Sequence, residues 1–111
     1  MADSTCQQCF DPCVACARKC EACATQCCAP AGSEMADCLR TCLDCAAMCW
    51  LGASFCSRGS RFHEAVCLLC ATICRACAEE CSKHEAQACQ SCAEACRRCA
   101  EACEACAATA G

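Results

Sequence analysis

Large apolar side chains are scarce in this sequence. Its 111 residues include no tyrosine, and valine, isoleucine, leucine, methionine, phenylalanine and tryptophan together number only 15. This shortage excludes a conventional hydrophobic core and would by itself indicate disorder. Alanine, glutamate, arginine and glutamine form much of the background instead, and all four favour helices. We therefore predict an all-α chain, with residues 1–111 forming a single domain.

Positive charge and long apolar runs are also missing. The formal net charge is −4 and aromatic residues make up 4% of the chain, so neither a basic patch nor base stacking favours nucleic acid as a partner. The N-terminal residues MADSTCQQCF have no positively charged start, apolar stretch or twin-arginine pair, and no apolar run approaches the length of a membrane span. We therefore expect a cytoplasmic protein without membrane contact, in a compartment that keeps thiols reduced.

Cysteine is the residue in excess, with 24 in the chain. Apart from Cys28, the cysteines recur at intervals of three and four residues, which places them on one face of a helix where a bundle normally carries leucine. Gly52 occupies the position where this pattern lacks a cysteine. The pattern forms four stripes of thiols: Cys6, Cys9, Cys13, Cys16, Cys20, Cys23 and Cys27; Cys38, Cys42, Cys45, Cys49 and Cys56; Cys67, Cys70, Cys74, Cys77 and Cys81; and Cys89, Cys92, Cys96, Cys99, Cys103 and Cys106.

Helix breakers and caps divide the chain into four helices, at about residues 4–28, 34–57, 61–82 and 85–108. Ser82 and Glu85 have the spacing of a capping box before the fourth helix. Pro12 predicts either a kink in a long first helix or a break at Asp11 after a short N-terminal segment. Because the connections are short, neighbouring helices should be antiparallel. The predicted fold is an antiparallel four-helix bundle with a cysteine-lined core.

Inward-facing thiols have three explanations: disulfides, simple packing or metal. Disulfide frameworks use irregular spacings in secreted chains, and alanine would pack as well without the risk of oxidation. About six tetrathiolate zinc sites would bury about twelve negative charges, and an unbroken stripe gives no reason to stop at discrete iron–sulfur clusters. Cu(I) prefers thiolates and approaches neutrality at about one ion per bridging thiolate. The stripes therefore predict multiple Cu(I) ions per chain.

Three further residues continue the stripes in phase: Met35, His63 and His84. Thioether and imidazole bind Cu(I) without having to become thiolates. We predict these three residues as copper ligands beside all 24 cysteines; the alternative is that they are surface and capping residues. In an antiparallel bundle Met35 and His84 come to one end, which we predict as the mouth for copper, and His63 to the other. The cysteines expected at the mouth are Cys27, Cys28, Cys81 and Cys89.

Thinner apolar stripes run beside the cysteines in the second and third helices. The simplest interpretation is that they fill the seams between helices of one bundle, and the alternative is that part of them packs against another protomer. Met48 is one position out of register, so we predict a packing role for it. The members of the two stripes are Leu39, Leu43, Ala46 and Trp50, and Phe62, Val66, Leu69 and Ile73.

With these motifs the sequence resembles the bacterial cytosolic copper storage proteins, four-helix bundles with cysteine-lined cores. The likeness covers nearly the whole chain and rests on CxxCxxxCxxC runs, from Cys13 to Cys23 and from Cys89 to Cys106, with His or Met near the helix ends. The resemblance implies many Cu(I) ions along the bundle axis, copper access from one end, and a homotetramer. A higher cysteine density and the out-of-phase Cys28 depart from the family pattern.

No nucleophile with an adjacent base and no glycine-rich phosphate loop is apparent in the sequence, so we expect no enzyme activity. The predicted function is high-capacity cytosolic Cu(I) binding and storage, for buffering or detoxification. The alternative is a thiol redox protein or sensor that cycles through disulfides.

Overall fold

The computed structural model describes residues 8–108, and the regular secondary structure in that range is entirely helical, as predicted. Four helices account for most of it: α1 (Phe10–Cys23), α2 (Ala36–Ser57), α3 (His63–Ser82) and α4 (Gln87–Ala108). The last three begin slightly later than the sequence predicts. Cys6, one of the predicted ligands, lies outside the described residues.

Pro12 lies in the first turn of α1 and does not interrupt it. Proline has no N–H to donate, but the N–H groups of a first turn have no acceptor within the helix, so nothing is lost there. The next amide, that of Cys13, donates to the carbonyl oxygen of Cys9 at 3.0 Å. Asp11 lies in the same turn, where a carboxylate interacts favourably with the helix dipole. Asp11 and Pro12 therefore lie inside α1, and the helix is instead interrupted two residues before Asp11, at the turn residue Cys9.

Beyond Cys23 the first helix changes its hydrogen bonding. Ala24–Cys28 is a π-helix, and the single α-helical turn Ala29–Ala31 follows it. A π-helix bonds each residue to the fifth one along, so residues five apart face the same way. Cys28 is thereby fully buried, whereas Cys27 is only partly buried. Cys28 is out of phase in the sequence only under the assumption of uniform α-helical spacing.

Two glycines with positive φ lie in the connections, Gly32 at 72° and Gly59 at 59°, a region that glycine adopts without a steric penalty. A 3₁₀ turn over Gly32–Met35 then leads into α2 and explains its later start.

The capping box predicted at Ser82 is wrong. Ser82 is the last residue of α3, and its hydroxyl donates to the carbonyl of Glu79 at 2.8 Å. Since α4 begins only at Gln87, Ser82 does not cap it.

The helices pack side by side around one elongated core. The Cα atoms extend over 46 × 18 × 18 Å, so the molecule is about two helices wide in both short directions. Contacting sulfurs of α1 and α4 follow opposite orders along the chain: Cys13 meets Cys103 at 3.9 Å, and Cys23 meets Cys89 at 3.6 Å. The same reversed order holds between α2 and α3.

Cysteine and alanine make up nearly the whole core. Met48 is the only larger apolar residue buried within residues 8–108, which agrees with its predicted packing role. Small side chains let the helix backbones approach closely. The buried alanines form a second stripe at seven-residue intervals within each helix, directly after a cysteine or Gly52: Ala17 and Ala24; Ala46 and Ala53; Ala71 and Ala78; and Ala93, Ala100 and Ala107.

Cysteine and alanine fill the buried positions and leave little room for large side chains in the seams. The prediction that the two apolar stripes fill the seams is wrong for four members, which are 42% to 54% exposed: Leu43, Trp50, Phe62 and Leu69. Ala46 is buried, and three members are partly buried against the core: Leu39, Val66 and Ile73. None of the helices within residues 8–108 combines the length and apolar character needed to cross a membrane.

Candidate metal centre

No disulfide joins any of the 23 cysteines within residues 8–108. Every one except Cys27 is buried, and no charged side chain of the described region is buried with them. The helices thus bring the inward faces of the stripes together as one column of sulfur, shielded from solvent along the long axis of the molecule.

Sets of four cysteines lie within reach of a single metal ion. In each set the four Sγ atoms lie within 4.8 Å of one another. Because a set draws on at least three helical segments, it forms only when the chain folds. Five such sets are Cys9, Cys56, Cys67 and Cys106; Cys13, Cys70, Cys99 and Cys103; Cys16, Cys49, Cys74 and Cys99; Cys16, Cys20, Cys45 and Cys96; and Cys20, Cys77, Cys92 and Cys96.

These sets overlap, because four cysteines belong to two of them each: Cys16, Cys20, Cys96 and Cys99. A structural zinc site is closed, with four ligands around one ion. A cysteine that belongs to two sets can bind a zinc ion in each of them only if its sulfur bridges the two ions. The column therefore suits a metal that shares its thiolates between neighbouring ions.

The spacing of the sulfurs is already close to that of a metal–thiolate cluster. Neighbouring Sγ atoms lie between 3.5 Å, for Cys92 and Cys20, and 4.0 Å, for Cys49 and Cys70. Three sulfurs bound at about 2.3 Å to one ion are separated by about 4 Å. Metal ions can thus replace the S–H contacts with only small movements of the helices.

Burial raises the pKa values of thiols near the Met35 and His84 end of the column. Removal from water raises the pKa of Cys28 to about 11 and that of Cys89 to about 12. Farther inside, hydrogen bonds with Cys16 and Cys20 lower the pKa of Cys45. No cationic side chain of the described region is buried beside these sulfurs. A column of thiolates therefore requires positive charge from bound ions.

Met35 and His84 lie near the end of the column formed by Cys38 and Cys81, whose sulfurs are 3.8 Å apart. Met35 directly precedes α2 and is partly buried against the core. The backbone N–H of His84 donates to the carbonyl oxygen of Cys81 at 3.1 Å. At this end too, Cys27 lies 3.6 Å from Cys89, sulfur to sulfur.

Glu80 orients the imidazole of His84. Its Oε2 atom lies 3.2 Å from His84 Nε2, so this nitrogen donates and Nδ1 of the neutral ring keeps its lone pair. The Gln90 side-chain amide also donates to the His84 carbonyl oxygen at 2.6 Å. This hydrogen bond holds the segment between α3 and α4 against the start of α4. Glu80 was not predicted as part of the site, although its spacing of four residues from His84 is a signal for such a contact.

His63 lies at the opposite end, where the sulfurs of Cys56 and Cys67 are 3.9 Å apart. Its Nδ1 atom lies 2.9 Å from the carbonyl oxygen of Ser60, so Nδ1 carries the proton and Nε2 keeps its lone pair. Nε2 is buried and has no hydrogen-bond partner within residues 8–108. A buried acceptor without a partner is costly, and a metal ion would satisfy it.

Gly52 leaves space for sulfur in the column. A Cβ atom at this position would lie 3.3 Å from Sγ of Cys13 and 3.6 Å from Sγ of Cys70. The first of these distances is tighter than ordinary contact and the second is not, so a side chain here would press on the Cys13 thiol unless that thiol moved. This crowding explains the single gap in the second stripe.

Comparison with protein families shows the family to which this chain belongs. The family model for copper storage proteins matches residues 2–108. The chain belongs to the copper storage protein family. Comparison with curated protein sequences gives no significant match.

Solved structures of copper storage proteins are similar over nearly the whole chain. The Cu(I)-bound copper storage protein BsCsp3 is 37% identical with a TM-score of 0.85, covering 93% of this chain and 98% of its own. Apo copper storage protein 3 from Bacillus subtilis is 38% identical with a TM-score of 0.83, and coverages are 91% and 97%. The cytosolic copper storage protein from Streptomyces lividans with five coppers is 37% identical with a TM-score of 0.91, and coverages are 97% and 96%.

Copper storage is thus the function of this family member, and copper is its cargo. The role is binding and storage rather than catalysis. The thiol redox alternative is not favoured, because both the family and the shared sets of thiols indicate metal binding.

Proposed function

We propose that this copper storage protein is a high-capacity Cu(I) store, built as one domain in which α1 to α4 form an antiparallel four-helix bundle. The reversed order of sulfur contacts between α1 and α4 supports the antiparallel arrangement. The overlap of the four-cysteine sets is the observation that carries the storage proposal. Overlap lets one thiolate bridge neighbouring ions, and about one Cu(I) per thiolate leaves a buried core neutral.

The proposed ligands are all 24 cysteines together with Met35, His63 and His84. Burial of the described thiols supports the cysteine ligands. The orphaned Nε2 of His63 supports a role for that residue at one end. At the other end, the Glu80 contact leaves Nδ1 of His84 available as a neutral donor, and Met35 contributes a soft thioether.

X-ray absorption at the copper edge of the fully loaded protein tests whether thiolates bridge the ions. We expect about two or three sulfur neighbours for each copper, and copper neighbours at short distance, because Cu(I) takes few soft ligands and each thiolate is shared. Four sulfur neighbours and no copper neighbour would contradict the proposal. Protein loaded with zinc in the same way is the control, and we expect it to show four-coordinate metal.

We further infer that the store is a cytoplasmic homotetramer. The Streptomyces lividans relative is a cytosolic protein, and thiols stay reduced in that compartment. Leu43, Leu51, Leu68 and Leu69 of α2 and α3 are about half exposed and suit burial between protomers.

Sedimentation of the protein and its variants tests the assembly. We expect the Leu68→Glu, Leu69→Glu double variant to be monomeric with an unchanged copper capacity per chain, because the thiol column lies within one chain. Arg18→Glu, at an exposed position of α1, is the control. A wild-type protein that sediments as a monomer would show the tetramer to be wrong.

A further inference from the structure

One thiol differs from the rest in its access to solvent. Among the cysteines in residues 8–108, Cys27 alone is only partly buried. Its sulfur lies 3.6 Å from that of Cys89, which is fully buried. Cys27 therefore connects the outside of the molecule with the column of sulfur.

The π-helix Ala24–Cys28 creates this arrangement. In an uninterrupted α-helix Cys27, four residues after Cys23, would face the core. The extra residue in the π-helical turn brings Cys28 inward instead, 3.8 Å from Cys23, and leaves Cys27 at the edge. Cys89 contacts both Cys23 and Cys27, each at 3.6 Å. A continuous series of sulfur contacts thus leads from the edge into the column.

A shallow surface hollow is lined by the sequence neighbours of Cys27 and Cys89 rather than by the two cysteines themselves. Gln26 and Ala88, the residues that precede Cys27 and Cys89, line a surface cavity of about 430 Å³ between α1 and α4. Lys19 is the one charged residue in its lining, so the cavity favours an anionic ligand. Its volume suits a compound of peptide size rather than the face of a folded protein.

We propose that Cys27 is the exchange thiol through which the store takes Cu(I) from, and returns it to, an anionic low-molecular-weight thiolate complex held in this cavity. The inference rests on the Cu(I) storage proposed above. Transfer of a thiolate-bound metal proceeds by attack of an incoming sulfur, as in thiol–disulfide exchange, and therefore needs a thiol that the complex can reach. Within the described chain, fully buried cysteines do not offer one.

The transfer balances without a change of oxidation state. Cys27 releases its proton to solvent as its sulfur bonds to Cu(I), and one bond between Cu(I) and the carrier breaks. The departing carrier sulfur takes up a proton. Cys89 then bonds to the same ion with loss of its own proton, and the remaining carrier thiolate leaves with a proton from solvent.

Stopped-flow uptake of Cu(I) from its glutathione complex, under anaerobic conditions, tests the role of Cys27. The ultraviolet absorbance of protein thiolate–Cu(I) bonds gives the rate, and the end point gives the capacity. We expect Cys27→Ser to take up copper about tenfold more slowly or worse, and to lose only about one equivalent of capacity. Cys28→Ser removes a buried ligand of the same end and should slow uptake less than Cys27→Ser does. Thr25→Ser, at an exposed position of the same π-helix, is the control and should keep both the wild-type rate and the wild-type capacity.

The cavity is tested with Lys19→Glu, which should slow uptake from the anionic glutathione complex without changing capacity. Arg40→Glu, at an exposed position of α2, is the matched control and should behave as wild type. A wild-type rate in Cys27→Ser would overturn the exchange role, and a wild-type rate in Lys19→Glu would overturn the cavity as the docking place. Both results leave storage intact, whereas a wild-type protein that fails to take up many equivalents of Cu(I) would remove the storage proposal itself.

Discussion

The Sγ atoms of Cys23 and Cys28 lie 3.8 Å apart although the residues are five positions apart in the chain. In an α-helix five positions correspond to a rotation of about 140° away from the starting face. The π-helix over Ala24–Cys28 returns the fifth residue to that face. A local change in hydrogen bonding thus adds one buried thiol to the end of the column that carries Met35 and His84.

Burial of Cys28 and Cys89 predicts that the metal-free protein loses stability in alkaline solution. Their pKa values are raised from 9.0 to about 11 and about 12. The unfolded chain ionises first, so the stabilisation is fully present below about pH 9 and is lost as the pH rises through about 11 to 12. Urea unfolding under reducing conditions at increasing pH measures this, and a Cys28→Ser, Cys89→Ser variant should show a shallower decline. An unfolding free energy that stays constant over this range would contradict the prediction.

Copper binding should release protons and weaken in acid. Buried thiols with raised pKa values start protonated, as at Cys28 and Cys89, and each must become a thiolate to bind. We expect about one proton for each cysteine engaged, and a lower Cu(I) affinity at pH 6 than at pH 8. An indicator in weak buffer counts the protons, and competition with a Cu(I) chelator gives the affinity. Equal affinities at the two pH values would refute the conversion of thiol to thiolate.

A large side chain at Gly52 should damage both packing and storage. A Cβ atom alone would lie 3.3 Å from the sulfur of Cys13, and overpacking of a core typically costs about 1–3 kcal/mol. We expect Gly52→Leu to lower the unfolding free energy of the apo protein by about this amount, and to remove the copper sites that use Cys13 and Cys70. Ser54→Leu, exposed on the same helix, is the control and should change neither quantity.

The inward faces of the helices were predictable because cysteine spacing alone determines them. Cys45 and Cys74 belong to stripes with helical periodicity, and their sulfurs lie 3.8 Å apart in the core. The predicted positions of Met35 and His84 followed from the same periodicity and from short connections. Such patterns are local, so they can be read without knowing how far apart the helices lie.

The features that were not predicted from the sequence depend on hydrogen bonding and on packing between helices rather than on spacing. Spacing does not reveal where a helix changes from α to π hydrogen bonding, so the separate roles of Cys27 and Cys28 were not apparent. Leu43 and Trp50 are exposed because cysteine and the regularly spaced alanines already fill the buried positions. The alanine pattern is visible in the sequence. It indicates that alanine, rather than the larger apolar residues, occupies the seams.

The Met35 and His84 end should control the rate of copper loading more than the capacity. A Met35→Ala, His84→Ala variant loses two ligands but keeps all 24 cysteines. We expect nearly full stoichiometry with slower uptake from a Cu(I) chelator in stopped-flow experiments. His63→Ala, at the other end, should have the smaller effect on rate. If the double variant matches wild type and His63→Ala is slow, the mouth lies at the His63 end.

The number of Cu(I) ions bound at saturation tests the account most directly. Fully reduced, full-length protein is titrated anaerobically with Cu(I), and bound copper is separated from free copper and counted per chain. Because a buried thiolate core needs about one cation per thiolate, we predict about 20 to 24 Cu(I) per chain. Saturation near about six equivalents, with zinc preferred over copper, would contradict the account, because it would indicate separate tetrathiolate sites instead of shared thiolates.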